Sequence, residues 1–188
     1  MLFRSEGPYS RMSNCHCSIC RKAHGAPFAT YIRVDRDRYE LLSGAAAISA
    51  YESSPEFHRK FCSRCVSVVP FDAGDHTVVP AGCLDDDPGI RPGRHIFVAS
   101  MAPWHVIADD LPQASEYKLD AAAAPVARPA AEPAILHGSC LCGGVAYEAA
   151  TPILAVYNCH CSRCRKARAA AHTTNGFVDP KGLRFTRG

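Results

Sequence analysis

The sequence predicts a mainly β protein, built of antiparallel sheets with cysteine-bearing loops and followed by a partial repeat of the same unit. Three observations predict it. Short β-branched and aromatic runs are bounded by Gly, Pro and Asp. Ten of the 11 cysteines stand in C-x-C or C-x-x-C clusters. The stretch NCHCSICRK at 14–22 returns as NCHCSRCRK at 158–166.

The strand candidates are FATYIRV (28–34), RYELLSG (38–44), HTVVPAG (76–82), HIFVAS (95–100) and GGVAYEA (143–149), the last alternating small or apolar with polar residues. Turn signals fall at SSPE (53–56), DDDPG (85–89) and RPGR (91–94). One short helical turn is expected after Cys20, through RKAHG and closed by Gly25.

An offset of 144 residues lays Asn14–Gly44 on Asn158–Gly188 without a gap. Cys15, His16, Cys17, Ser18, Cys20, Arg21, Lys22 and Ala23 recur, as do Thr30, Val34, Asp35 and Gly44. This is an internal repeat. GSCLCGG precedes Val145 in the second copy, and the first copy has no counterpart of it before Met1. The expected organisation is therefore a first domain over 1–117, an Ala/Pro-rich linker over 118–136, and the N-terminal half of a second domain over 137–188. Within the linker, LDAAAA is a short-helix alternative that stops at Pro125.

At 188 residues the chain holds one large domain or about one and a half ordinary ones. With 47% apolar and 21% charged residues it has a soluble, globular composition. A net charge of +3 is too mild to argue for nucleic acid or membrane, and the mixed DRDRYE and acidic LDDDPG segments count against nucleic acid. The apolar runs are short and broken by charge, so none reads as a membrane span. MLFRSEGPYS lacks the apolar core of a secretory signal. An odd cysteine count excludes a complete disulfide set within one chain, and bridging a C-x-C pair closes a strained ring. The clusters therefore read as thiolate metal sites in a reducing compartment, with the cytoplasm as the expected location.

In C-x-C-x-x-C, an extended backbone sends Cys15 and Cys17 to one side and His16 to the other, and Cys20 curls back to bring a third sulfur. Three thiolates are ordinary zinc ligands, and an open fourth position marks a reactive site. The same holds for Cys159, Cys161 and Cys164. Cys62–Cys65 and Cys140–Cys142 are each half a tetrahedron, and together they make a closed, structural four-cysteine site. Cys83 is left over and reads as a small buried hydrophobe. His16 and His160 read as structural histidines. Arg21, Lys22, Arg165 and Lys166 either are solvated charges or screen a thiolate-rich site.

GSCLCGGVAYE, NCHCSRCRKA, FCSRC and HIFVASMAPWHVIADDLPQ together resemble the glutathione-dependent formaldehyde-activating enzyme family, whose relatives include centromere protein V. The resemblance implies a zinc-containing β-tent fold. It implies a structural zinc shared by the C-x-C-G and C-x-x-C pairs, here Cys140, Cys142, Cys62 and Cys65. It also implies a catalytic zinc on each three-cysteine loop. The chain departs from the family pattern in having Val66 where glycine commonly follows the C-x-x-C, and Met101 where lysine is common. Neither copy holds a full structural set in family order. Two expectations follow: a fragment of a tandem product, or complementation of the first half by the second, within one chain or in a domain-swapped homodimer. A 19-residue linker at ~3.1 Å per residue reaches about 60 Å, enough for the former.

The function implied is that of a carbon–sulfur lyase acting on a thiol–aldehyde adduct, with zinc as cofactor and glutathione and formaldehyde as the substrate type. Arg21, Lys22, Arg91 and Arg94 are candidate partners for glutathione's carboxylates. Phe97 and Trp104 either line a pocket or pack in the core, and the core is the expectation. A zinc-stapled binding module without catalysis is the alternative.

Overall fold

Residues 1–117 and 134–188 are described by a computed structural model. The first half opens with β1 (Leu2–Ser5) and β2 (Arg11–Cys15), passes through α1 (Ser18–His24) into β3 (Ala29–Asp35), and returns in β4 (Tyr39–Ser43). A hairpin of β5 (Ile48–Ser54) and β6 (Phe57–Cys62) follows, then β7 (Phe71–Asp72), β8 (His76–Pro80) and β9 (His95–Ile96). The second half holds β10 (Ile135–Ser139), β11 (Ala146–Ala150), β12 (Ala155–Cys159), α2 (Ser162–Arg168), β13 (Thr173–Phe177) and β14 (Leu183–Arg187). The fold is mainly β, as the sequence predicts. The expected linker and its helical alternative fall mostly on 118–133, outside the described residues, and β10 already begins at Ile135.

The repeat holds element by element. β1 pairs with β4 as β11 pairs with β14, and β2 pairs with β3 as β12 pairs with β13. Small contacts repeat too. Thr30 donates to Asn14 at 2.8 Å, and Thr174 to Asn158 at 2.7 Å. Phe3 faces Leu41 as Tyr147 faces Phe185.

The surroundings differ. In the first half β2 and β3 lie inside a five-stranded sheet ordered β7-β8-β3-β2-β9. In the second, β12 and β13 form a sheet of two, while β10 adds a third strand to β11 and β14. Alternation along β3 divides the first half's core. Ile32 and Val34 join Val79 on one face, under Phe3, Tyr9, Met12 and Tyr39. Ala29 and Tyr31 join Cys15, Cys20, Ile96 and Ala114 on the other. Burying each of the aliphatic residues contributes about 1.5–3 kcal/mol.

Two local expectations are corrected. HIFVAS is a strand only at His95–Ile96. β9 pairs in parallel with β2, and β2 ends at Cys15, so the ladder runs out after Cys15↔Ile96. Phe97 then turns left-handed (φ 58°) into a 3₁₀ turn at Val98–Ser100. The helix near Cys20 begins before it, at Ser18, because Cys17 serves as N-cap, and it closes on Gly25 as expected (φ 56°). The β5–β6 hairpin flanks the SSPE turn with strands whose alternation is too weak to stand out. No helix among the described residues is long and apolar enough to cross a membrane.

The two halves touch. The 3₁₀ turn Ala81–Cys83 receives Ala169 and Ala170, both 0% exposed. A Cβ on Gly82 would lie 2.3 Å from the Ala170 nitrogen, so only glycine permits this approach. Lys166 pairs with Asp85, and Lys22 Nζ donates to Ser139 Oγ at 2.5 Å.

Candidate metal centres

The first cysteine trio is assembled by the junction of β2 and α1. β2 delivers Cys15. Cys17 caps the helix, its sulfur accepting from the Cys20 amide at 3.3 Å, and this draws the third sulfur back to the other two. All three sulfurs lie within 4.8 Å of one another. Zn–S bonds of about 2.3 Å set tetrahedral sulfurs about 3.8 Å apart, so the donor set fits a divalent, thiophilic ion. Cys15 and Cys20 are buried and Cys17 is half-buried. Without metal, hydrogen bonds from Cys15 and Cys20 pull the Cys17 thiol down to about 2. The bonds of Cys15 to Cys17 and Cys20, with burial, push Cys15 up.

Cys20 has a buried cation beside it. Arg59, on β6 and 8% exposed, places Nη2 at 3.5 Å from Cys20 Sγ and donates through Nη1 to the Tyr31 hydroxyl at 3.2 Å. Three thiolates and a dication would sum to −1, a charge that this guanidinium would offset. Sequence reasoning missed Arg59 and Tyr31. A signal was present: Phe57, Arg59 and Phe61 share one face of a strand, and a cation between two aromatic residues points to a buried partner.

His16 points away from the sulfurs, as alternation predicts. It is 0% exposed, and Nε2 lies 2.7 Å from His95 Nδ1. His95 in turn donates through Nε2 to Asp109 at 3.1 Å. That orientation makes His95 Nδ1 the acceptor and His16 Nε2–H the donor. Burial, reinforced by the fields of His95 and His105, lowers His16 to about 3 and keeps it neutral.

The second trio repeats the local geometry. Cys161 caps α2, accepting from the Cys164 amide at 3.4 Å, and the Cys159, Cys161 and Cys164 sulfurs lie within 4.8 Å. That amide bond, with help from the Cys164 and Cys159 thiols, lowers Cys161 to about 7, and the bond to Cys159 pushes Cys164 up to about 11. Asn175 stands where the first trio has Tyr31, and Cys161 is exposed. His160 stacks on His172 with ring centroids 5.0 Å apart.

The remaining pairs stand apart. Cys62 and Cys65 line a cavity of about 1020 Å³ beside β1, together with Cys83 and Lys166. Cys140 and Cys142 face each other at 3.4 Å in the β10–β11 turn, where the Val145 amide lowers Cys140 to about 7. Among the described residues these four sulfurs form no group of three or more within 4.8 Å. Cys83 is half-buried and donates to the Val68 carbonyl at 2.9 Å.

Of the candidate cations, Arg21 donates through Nε to the His16 carbonyl at 3.3 Å, and Lys22 reaches Ser139. Arg91 is bound bidentately to Asp87, and Arg94 stacks on Tyr117. Phe97 packs against the core cluster that includes Cys15 and Cys20, whereas Trp104 is 58% exposed and lies outside the core. It stands with Pro103 at the tip of a turn closed by the His105 amide on the Ala102 carbonyl at 3.0 Å.

No curated protein matches the chain. The family model for the glutathione-dependent formaldehyde-activating enzyme matches residues 3–100 and again residues 135–188. Those segments contain both sulfur trios and both cysteine pairs, and the chain belongs to the glutathione-dependent formaldehyde-activating enzyme family.

Proposed function

We propose that the chain is a zinc-dependent carbon–sulfur lyase of the S-(hydroxymethyl)glutathione synthase type, working at the first trio on a small thiol and an aldehyde. One observation carries this reading. Among the described residues the first ligand group contains three sulfurs and no fourth His, Cys, Asp or Glu, which leaves a coordination position for an outside ligand. Zinc held there supplies a lowered thiol pKa and a polarised carbonyl.

The chain's own residues do the rest. Cys15 and Cys20 are closed off and Cys17 is half-exposed, so substrate approaches on the Cys17 side. Phe97 adds apolar cover to the cluster in which Cys15 and Cys20 are buried. Arg21 and Lys22, on the helix that Cys17 caps, attract the carboxylates of a glutathione-like thiol. The thiol loses its S–H proton, an S–C bond forms as the carbonyl π bond opens, and the proton ends on the former carbonyl oxygen. Eleven unbridged thiols suit a reducing compartment such as the cytoplasm. Cys62–Cys65 and Cys140–Cys142 each offer half of a structural site. Because they stand apart here, a shared ion calls for exchange of β10 and its turn between two copies.

The test is nuclear magnetisation exchange between free and hydroxymethylated glutathione, with and without zinc-loaded protein. The uncatalysed reaction is already fast, so the expected acceleration is roughly tenfold, equivalent to ~1.4 kcal/mol. Exchange at the buffer rate with zinc demonstrably bound overturns the proposal and leaves a metal-stapled binding module.

A further inference from the structure

The first trio is wired to the second repeat through a chain of three hydrogen-bonding groups. His24 is 0% exposed, and its Nδ1 lies 2.6 Å from the carbonyl oxygen of Arg168, at the end of α2. A carbonyl only accepts, so Nδ1 carries the proton. Burial holds His24 down to about 4, so the ring is neutral and Nε2 is an acceptor. The Tyr31 hydroxyl sits 2.8 Å from that Nε2 and 3.6 Å from Cys20 Sγ. It has one proton to give, and the shorter contact is to His24. Arg59 donates to the tyrosine oxygen from the other side. With the second repeat docked, Cys20 therefore keeps Arg59 as its N–H donor and does not receive the tyrosine proton.

We propose that docking of the second repeat tunes the first centre: the Arg168 carbonyl fixes the tautomer of His24, His24 Nε2 accepts the hydrogen bond of the Tyr31 hydroxyl, and Arg59 is left to position and neutralise Cys20. When α2 leaves, Nδ1 loses its acceptor. The imidazole can then carry its proton on Nε2 and donate it to the tyrosine oxygen, and the hydroxyl proton turns to Cys20 Sγ. A thiolate that accepts this extra bond gives less electron density to its metal. Arg59, Tyr31 and His24 are thus positioning residues, acting through Cys20. The contact that controls them is the seat of Ala169 and Ala170 on Gly82.

The inference rests on metal binding at the first trio, and the experiment separates the two. Full-length protein with Cys140, Cys142, Cys159, Cys161 and Cys164 replaced by serine is loaded with cobalt(II). Its sulfur-to-cobalt charge-transfer band and cobalt affinity are then measured. Arg59→Met is expected to weaken cobalt binding about 10- to 100-fold, the range for outer-shell partners, with Arg59→Lys recovering part of the loss. Gly82→Val, which drives a side chain into Ala170, is expected to move the band to higher energy. The same change in a Tyr31→Phe background is expected to leave the band still, because no hydroxyl remains to redirect. Amide exchange at Ala169 and Ala170 confirms undocking, and Ala170→Glu serves where Gly82→Val leaves the repeats together. A band that does not move on undocking overturns the inference, as does one that moves equally without the Tyr31 hydroxyl. If the parent protein shows no charge-transfer band, the metal reading falls and takes the inference with it.

Discussion

NCHCSICRK and NCHCSRCRK build the same loop twice, in two different settings. In both, the second cysteine caps a seven-residue helix and accepts from the third cysteine's amide. Around the first loop lie a five-stranded sheet, a buried arginine and a tyrosine, while the second stands beside a sheet of two strands. Met12 and Arg33 are half-buried in the first copy, but their counterparts Val156 and Phe177 are 59% and 52% exposed. The comparison separates two properties that a motif search merges. Convergence of the sulfurs is local and needs only the strand, the cap and one helical turn. Burial and charge compensation come from β6, β8 and β9, far away in sequence.

The largest difference between the two loops is expected on removing one sulfur from each trio. Cys20→Ser is expected to weaken cobalt binding at the first trio more than about 100-fold, beyond the range for outer-shell changes, and to return thiol–aldehyde exchange to the buffer rate, while Cys164→Ser leaves that exchange within about twofold. Equal losses from the two variants would show that the setting does not matter.

Core truncation follows. Ile32→Ala, at a site 1% exposed, should cost about 2–5 kcal/mol in a denaturant titration, and Val156→Ala on the matching sheet within about 0.5 kcal/mol. A large cost at Val156 would mean that a partner covers that face in solution.

Acid acts on the first copy through His24. His24 faces Arg59, Tyr31 and the Arg168 carbonyl, with Cys17 nearby. Burial lowers it from 6.5 in the unfolded chain to about 4. Its contribution is therefore complete above pH 6.5 and is lost as pH falls toward 4, by about 3 kcal/mol. In His24→Gln, melting temperature should depend less steeply on pH across that window. An unchanged slope would place the acid sensitivity elsewhere.

The smallest effect belongs to the surface. Glu148→Gln removes a pair to Arg184 at 2.5 Å and should cost no more than about 1 kcal/mol, as should Glu40→Gln, which removes the pair to Arg4 at 2.9 Å. A larger loss in either would indicate a network beyond the pair.

What the sequence made legible follows the same division. Spacing alone placed Cys15, Cys17 and Cys20 together, and alternation turned His16 away, because both depend on a few successive dihedral angles. HIFVAS was misread in part because its strand length is set by β2, which ends at Cys15. Trp104 does not reach the core expected for it, because it lies at the exposed tip of a turn, 58% open to solvent. Arg59 and Tyr31 reach Cys20 only after β3 and β6 fold against the same loop, and nothing within either segment names the other. The His24–Arg168 contact was beyond reach because it joins residues 144 apart across the repeat.

Arg4 on β1 faces Glu40 on β4, and at the corresponding places Glu148 on β11 faces Arg184 on β14. The polarity is inverted between copies. A mispaired β1–β14 ladder would set arginine against arginine, and β11–β4 would set glutamate against glutamate, both unfavourable across neighbouring strands. Each copy thus carries an address that its near-twin cannot answer, which steers two closely related segments in one polypeptide to their own partners as they fold.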